Sequence, residues 1–144
     1  LYGPLDQVRA QTGTQAFDQR KWRVNLVTNY SFGNDGPLAG WNVGGALRWQ
    51  DKSILGYPTV TEGGVTRPDL ANAVTAPATT NADAWIGYVR RNVRRGVDWR
   101  VQLNVRNVIG DDDFVPTSVQ PDGTVASYRI PGYRTWMLTN TFSF

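Results

Sequence analysis

Apolar and polar residues alternate with a period of two along most of the chain. The clearest segments are KWRVNLVTNYSF (21–32), WNVGGALRWQ (41–50), WRVQLNVRNV (99–108) and WMLTNTFSF (136–144). Because successive side chains of a β-strand point to opposite faces, each segment predicts a strand with one apolar and one polar face. NADAWIGYVR (81–90) also predicts a strand, but its two faces are not cleanly separated and its orientation stays open.

The alternation assigns individual side chains to the two faces of these strands. The residues expected on the apolar, outward face are Trp22, Val24, Leu26, Trp41, Val43, Leu47, Val101, Leu103, Leu138 and Phe142. Those expected on the opposite face are Arg23, Asn25, Arg48, Gln102 and Arg106. Arginine and asparagine at mid-strand are expected of a face that meets water.

The connections between the predicted strands alternate in length. Residues 33–40 and 91–97 form short connections, whereas residues 51–80 and 110–133 form long ones rich in turn-forming residues. An antiparallel up-and-down meander with tight turns at one rim and long loops at the other has this asymmetry. Residues 1–20 are expected to be a loop or irregular lead-in.

The long loops contain side chains of types that often contact ligands, although such residues are more often ordinary loop surface. These candidate ligand-facing residues are Tyr57, Arg67, Tyr128, Arg129 and Tyr133.

Composition restricts the chemistry that the chain can perform. It has 144 residues, no His, no Cys and a formal net charge of +3. Without Cys there is no disulfide framework or thiolate metal site, and without His the commonest general base and metal ligand is missing. Asp83 and Asp98 have no spacing typical of a catalytic carboxylate pair. We therefore expect no catalytic residue, no cofactor site and no metal site, and a charge this mild predicts no nucleic-acid partner. The acidic run 111–113 lacks the ligand spacing of a calcium loop and is expected to be solvated.

Two architectures fit long alternating strands: a transmembrane barrel and a soluble sandwich. No apolar run approaches the roughly 20 residues of a membrane helix. Aromatic residues instead recur eight positions apart, as in Trp22 and Tyr30 or Trp41 and Trp49. Eight residues span roughly 26 Å along a strand, which a tilt of about 40° reduces to about 20 Å, near the height of a membrane barrel's apolar band.

This spacing favours a membrane barrel with aromatic girdles. The predicted girdle residues are Trp22, Tyr30, Phe32, Trp41, Trp49 and Trp99. The alternative from another class is a secreted β-sandwich that binds glycans through exposed tryptophans. A glycosidase fragment that uses carboxylates alone is a further alternative.

The segment WMLTNTFSF resembles the C-terminal β-signal of outer-membrane proteins. Trp136, Leu138, Phe142 and Phe144 match its alternating apolar positions, and Asn140 departs from them. In that class the barrel assembly machinery recognises this strand.

Two further segments resemble TonB-dependent receptors. In WRVQLNVRNVIGDDDFVPTS, which is similar to the penultimate upward strand and its loop, the matching residues are Asn107, Val108, Ile109, Asp111 and Asp112. Gly110 stands where an acidic residue is common, and Phe114 replaces the more usual Tyr. LAGWNVGGALRWQDKSILGYP is similar to the strand before the next long loop. The resemblance covers roughly residues 21–144.

The resemblance implies an all-β fold in which residues 21–144 are the C-terminal strands of a 22-stranded barrel, about the size known for outer-membrane transporters. Neither a plug domain nor a TonB-contacting segment is recognised. It implies energised uptake of a siderophore, vitamin or oligosaccharide across the cell outer membrane. The implied partners are the lipid bilayer with lipopolysaccharide, the remainder of the barrel and its plug, TonB, and the barrel assembly machinery.

Overall fold

The computed structural model describes residues 9, 12–13, 17–94, 96–110 and 113–144, and this part of the chain is all-β. Its strands are β1 (Arg23–Ser31), β2 (Trp41–Gln50), β3 (Ser53–Gly56), β4 (Thr59–Glu62), β5 (Val65–Pro68), β6 (Val74–Ala76), β7 (Thr79–Arg94), β8 (Val97–Gly110), β9 (Val115–Val119), β10 (Val125–Arg129) and β11 (Thr135–Ser143). The predicted all-β class is confirmed. No helix within the described ranges has the length and apolarity to cross a membrane.

The described residues fall into two compact units. The first, called the hairpin unit, is drawn from residues 1–23, 50–79 and 113–131. The second, called the sheet unit, is drawn from residues 24–49, 80–112 and 132–144.

The five long strands form one sheet in the order β1-β2-β7-β8-β11, with β1 and β11 at its edges. Strand β8 pairs antiparallel with both β7 and β11. The strand order follows the chain, as the predicted antiparallel meander requires. A sheet of five strands is open and is not a closed barrel.

The turn between β7 and β8 is much tighter than the predicted connection 91–97, because β7 extends to Arg94 and β8 begins at Val97. Residues 90–95 break the alternation that marks a strand, which is why the sequence suggested an earlier end. Asn92 has a left-handed backbone (φ 51°), and the register shifts between Arg90 and Arg94. The Asn92 backbone N–H donates to Asp98, and the Asn92 side chain accepts from the Gly96 N–H, both at 2.9 Å. These bonds support the irregular strand end.

The two long connections also contain regular structure that the sequence did not predict. They hold six short strands in three antiparallel pairs: β3 with β6, β4 with β5, and β9 with β10. Gly63 and Gly64 join β4 to β5 with φ angles of 57° and 78°. A two-residue hairpin turn of this kind needs positive φ at both positions, which glycine adopts without steric cost. Strand β9 packs against β3 and β6, where Ser53, Ala76 and Val115 are buried.

Two aspartates stabilise turns in the hairpin unit. The Asn72 side chain donates to Asp69 at 2.7 Å and holds the pKa of that carboxyl below its usual range. The Thr124 hydroxyl donates to Asp122 at 2.6 Å and lowers the pKa of Asp122 in the same way. Since a depressed pKa favours the ionised folded form, this stabilisation is present above the unfolded-state pKa and is lost as the pH falls through the folded-state value. Both turns are therefore expected to weaken only in acid.

Candidate functional site

The five-stranded sheet has one apolar face, which the register of β8 with its two neighbouring strands defines. Leu103 stands opposite Leu138 on β11 and Ile86 on β7, and Val101 stands opposite Tyr88. Gln102 pairs instead with Thr139 and Gly87, as expected for the polar face. The predicted division of β8 and β11 into one apolar and one polar face is confirmed. The register also shows the orientation of segment 81–90, which the sequence had left open: Ile86 and Tyr88 lie on the apolar face.

The apolar face remains exposed along both edge strands. Leu26 on β1 is 59% exposed, and Trp136, Leu138 and Phe142 on β11 are 64%, 64% and 59% exposed. Soluble monomers rarely expose contiguous apolar patches of more than a few hundred Å². An uncovered face of this kind is therefore a candidate surface for contact with a partner or with lipid.

Aromatic rings form a row across the sheet where the short connections lie. The Tyr30 and Phe32 rings are 5.0 Å apart between centroids, the Trp41 and Tyr88 rings 5.1 Å, and the Tyr88 and Trp99 rings 6.2 Å. These separations are typical of favourable aromatic pairs. Four predicted girdle residues belong to this row, and so does Tyr88, which the sequence analysis missed. Tyr88 is two residues from Ile86 on the same strand, and this spacing could have indicated that both side chains lie on one face.

The row extends to β11 through the strand register, because Phe142 stands opposite Trp99. The Trp99 indole N–H also donates to Asn140 at 3.3 Å. Asn140 is the residue that departs from the β-signal pattern, and this bond gives its amide a partner on the apolar face.

The remaining girdle candidates lie elsewhere. Trp22 precedes β1 and is 68% exposed, and its carbonyl accepts from the Asp51 N–H at 3.0 Å. Trp49 is near the end of β2 and is partly buried. Trp136, which belongs to the predicted β-signal and not to the predicted girdle, stands opposite Val105, towards the other end of β11 from Phe142.

A tryptophan crosses the polar face of the sheet. The Trp85 indole N–H donates to the Asn29 amide oxygen at 2.9 Å, and the ring lies against Gly44. Asn42 lies in the same way against Gly87. The two glycines leave room for these neighbouring side chains, so side chains pack against the backbone on the polar face.

Arg48 and Asp83 form an ion pair at 2.6 Å on this polar face. The other Asp83 carboxylate oxygen accepts from the Asn107 backbone N–H at 2.9 Å. Asn107 has a left-handed backbone (φ 54°), which Asn tolerates better than most residues. Its amide accepts from Asn81 at 3.0 Å and donates to the Gly132 carbonyl at 2.5 Å. Asn107 therefore connects β7, β8 and the segment before β11.

Asn107 is also the first of the residues that match the strand end of TonB-dependent receptors in the sequence. Of the acidic residues that follow it, Asp111 and Asp112 lie outside the described residues. Within the described residues, no group of three or more His, Cys, Asp or Glu side chains could hold a metal ion.

A depression of about 510 Å³ lies in the sheet unit next to the aromatic row. Its polar lining includes Ser31, Asn42, Arg91, Arg100 and Gln102. Ion pairs within the described ranges involve Arg48 and Arg67 but neither Arg91 nor Arg100. The polar face can therefore offer hydrogen bonds and positive charge.

The other predicted site residues have separate neighbours. In the hairpin unit, Tyr57 packs against Phe17, Tyr128 against Phe114, and Arg67 pairs with Glu62. Arg129 lines a small cavity. In the sheet unit, Tyr133 is 78% exposed, and Phe144 follows β11 with its side chain fully exposed.

Gly44→Ala should destabilise the sheet by about 1–3 kcal/mol, the usual cost of overpacking. A Cβ at this position would meet the Trp85 ring and would lie 2.6 Å from the Thr28 carbonyl oxygen. The measurement is urea unfolding in detergent, followed by tryptophan fluorescence. Gly45→Ala is the matched control, because its Cβ would lie 3.1 Å from the nearest atom, the Asp83 carbonyl oxygen. Equal unfolding midpoints for the two variants would contradict the packing of Trp85 on Gly44.

Comparisons with protein-family models, with curated proteins and with solved structures gave no match.

Proposed function

We propose that the five-stranded sheet is part of the wall of a transmembrane β-barrel in the outer membrane, and that this barrel belongs to a TonB-dependent receptor. The function proposed for the complete receptor is energised uptake of a scarce nutrient such as a siderophore, a vitamin or an oligosaccharide. The bilayer with its lipopolysaccharide would contact the apolar face, and the plug would lie on the polar side. TonB and the barrel assembly machinery are the proposed protein partners.

The observation that carries this proposal is the uncovered apolar face with an aromatic row across one end. Each Å² of apolar surface left in water forgoes roughly 25 cal/mol of stabilisation. Hydrocarbon would remove that cost, and rings at the end of the face would lie at the interface, where Tyr and Trp are favoured.

The glycan-binding sandwich fits this observation less well. In a sandwich, a second sheet packs about 10 Å from the first and buries the apolar side chains between them. Leu26 and Leu138 are instead 59% and 64% exposed. The polar face, with its Arg48–Asp83 ion pair and Trp85–Asn29 hydrogen bond, resembles neither the core of a sandwich nor a lipid-facing surface. It fits a wall that encloses water.

Uptake by intact cells tests the proposed function. In cells that lack the gene encoding this chain, we expect the accumulation of one class among labelled ferric chelates, cobalamin and oligosaccharides to fall. It should fall to the level of cells that lack TonB. The protein should also fractionate with the outer membrane and require detergent for extraction. Release into plain buffer, with unchanged uptake of every nutrient class and saturable binding to a glycan array, would favour the sandwich instead.

Phe144→Ala should lower the yield of protein in the outer membrane several-fold and change the stability of the folded chain by less than about 0.5 kcal/mol, as for other exposed positions. The reason is that Phe144 lies beyond β11 with its side chain fully exposed, and the β-signal resemblance assigns it to recognition during assembly. Membrane yield is compared with refolding of purified protein into detergent. Ser143→Ala is the control at the neighbouring position. An unchanged yield together with failed refolding would refute the recognition role.

A further inference from the structure

A small cavity in the hairpin unit has a strongly polar lining over a buried floor. Its volume is about 110 Å³. The floor is formed by Ser53, Ala76 and Val115, which are 1%, 1% and 7% exposed. This is the most deeply buried part of the described chain, and it lies where β3 and β6 pack against β9.

The Ser53 hydroxyl is a buried polar group without a protein partner. Its Oγ makes no hydrogen bond to any residue that the structure describes. More than nine in ten buried polar groups are hydrogen-bonded, and one left unpaired costs on the order of 1–3 kcal/mol in general. Because Ser53 belongs to the cavity lining, its hydroxyl is the candidate hydrogen-bonding group for a molecule that enters the cavity.

Charged side chains also line this cavity. Arg20 and Arg129 contribute two guanidinium groups to the lining, Asp18 contributes a carboxylate, and Thr117 contributes a second hydroxyl. The ion pairs found among the described residues include none of these three charged groups. Arg20 donates to the Asp51 carbonyl at 2.6 Å, and that bond uses one of its five N–H donors. The lining therefore carries an excess of one positive charge.

We propose that this cavity binds a carboxylate group, carried either by a small organic acid or by a small zwitterion. Arginine binds carboxylates through charge-assisted hydrogen bonds, which are the stronger kind, and the Ser53 hydroxyl would donate a further bond from the floor. A cavity of about 110 Å³ has room for a carboxylate with one or two further heavy atoms. In a zwitterion the ammonium group would pair with Asp18. This site lies wholly within the hairpin unit and does not depend on the proposed membrane role of the sheet.

Acetate, glycine and acetamide distinguish these forms of ligand. The 144-residue chain is refolded in a non-ionic detergent, and backbone amide NMR shifts are followed at constant ionic strength. We expect acetate or glycine to shift the amides around Ser53 and Thr117 saturably, with a Kd on the order of 1 mM. Acetamide has the shape of acetate without its charge and should bind at least tenfold more weakly. Stronger binding of glycine than of acetate would assign Asp18 to the ammonium group.

Substitutions in the lining test the assignment of each group. Arg129→Gln should weaken carboxylate binding at least tenfold, whereas Arg67→Gln, another arginine of the hairpin unit outside this cavity, should leave it unchanged. Ser53→Ala should weaken binding several-fold and yet raise the unfolding midpoint of the unliganded chain, because it removes the unpaired hydroxyl. A side chain that only packs would not weaken binding while raising stability, so these opposite changes distinguish a binding role of Ser53 from a packing role.

The proposal is overturned by any of three results. The first is the lack of a saturable shift with both acetate and glycine. The second is equal binding of acetate and acetamide, which would mean that charge is not recognised. The third is unchanged affinity in both Arg129→Gln and Ser53→Ala, which would place the carboxylate elsewhere.

Discussion

Leu103→Arg should reduce the partition of the chain into phospholipid vesicles by roughly 30-fold or more. Leu103 lies on the apolar face near the middle of β8 (Val97–Gly110), between Ile86 on β7 and Leu138 on β11. An arginine on the lipid face at the bilayer midplane costs about 2–4 kcal/mol, and each 1.4 kcal/mol is about a factor of ten. On a water-exposed surface, a substitution usually changes the free energy of folding by no more than about 0.5 kcal/mol.

Gln102→Arg is the matched control, because it adds the same charge at the next residue but on the polar face. Its partition should differ from that of the unsubstituted chain by less than about threefold, since an arginine facing water is not desolvated. Co-flotation with vesicles of phosphatidylethanolamine and phosphatidylglycerol, over a range of lipid concentrations, measures both constants. If the two variants partition equally, the apolar face does not contact lipid and the proposed membrane role fails.

Asn107→Ala should destabilise the folded chain by about 2–4 kcal/mol. The substitution removes the hydrogen bonds with Asn81 and with the Gly132 carbonyl, each worth about 1 kcal/mol. It also leaves alanine at φ 54°, where a left-handed backbone costs a residue with a Cβ roughly 1–2 kcal/mol. Urea unfolding in detergent measures the loss.

Two variants separate the causes of this loss. Asn107→Gly removes the same hydrogen bonds, but glycine adopts a positive φ without steric cost. Its loss of folding stability should therefore be about 1–2 kcal/mol smaller than that of Asn107→Ala. Asn104→Ala removes the acceptor of a single bond from Gln102 at 2.8 Å on the same strand, and should cost about 1 kcal/mol or less. The expected order of destabilisation is therefore Asn107→Ala, then Asn107→Gly, then Asn104→Ala. Equal losses for the alanine and glycine variants would show that backbone conformation at Asn107 carries no part of the effect.

Most of the apolar face could be read from the sequence. Leu103 and Leu138 were assigned to one face and Gln102 to the other, and the register confirms this. The strand 81–90 could not be assigned in this way. It carries Trp85 on the polar face, where the indole requires Asn29 on β1 and the space above Gly44 on β2. Those partners are more than 40 residues away in the chain, so no local pattern reports them.

The cavity at Ser53 could not be found from the sequence for a similar reason. Its lining comes from residues 18, 20, 53, 76, 115–117 and 129, which meet only when β3, β6 and β9 pack. Arg129 was selected as a loop residue of a ligand-binding type, but the sequence did not predict that it lies on strand β10 or that it lines a cavity together with Ser53.

The amino-acid sequence by itself determined the all-β class and the two faces of β8 and β11. These features depend on the two-residue repeat of an extended backbone, which acts between near neighbours. Only the tertiary structure decided the short strand pairs within the long connections, the aromatic row through Tyr88, and the cavity that Asp18, Arg20, Arg129 and Ser53 line together. These depend on which distant segments pair, and that choice rests on contacts between residues far apart in the chain.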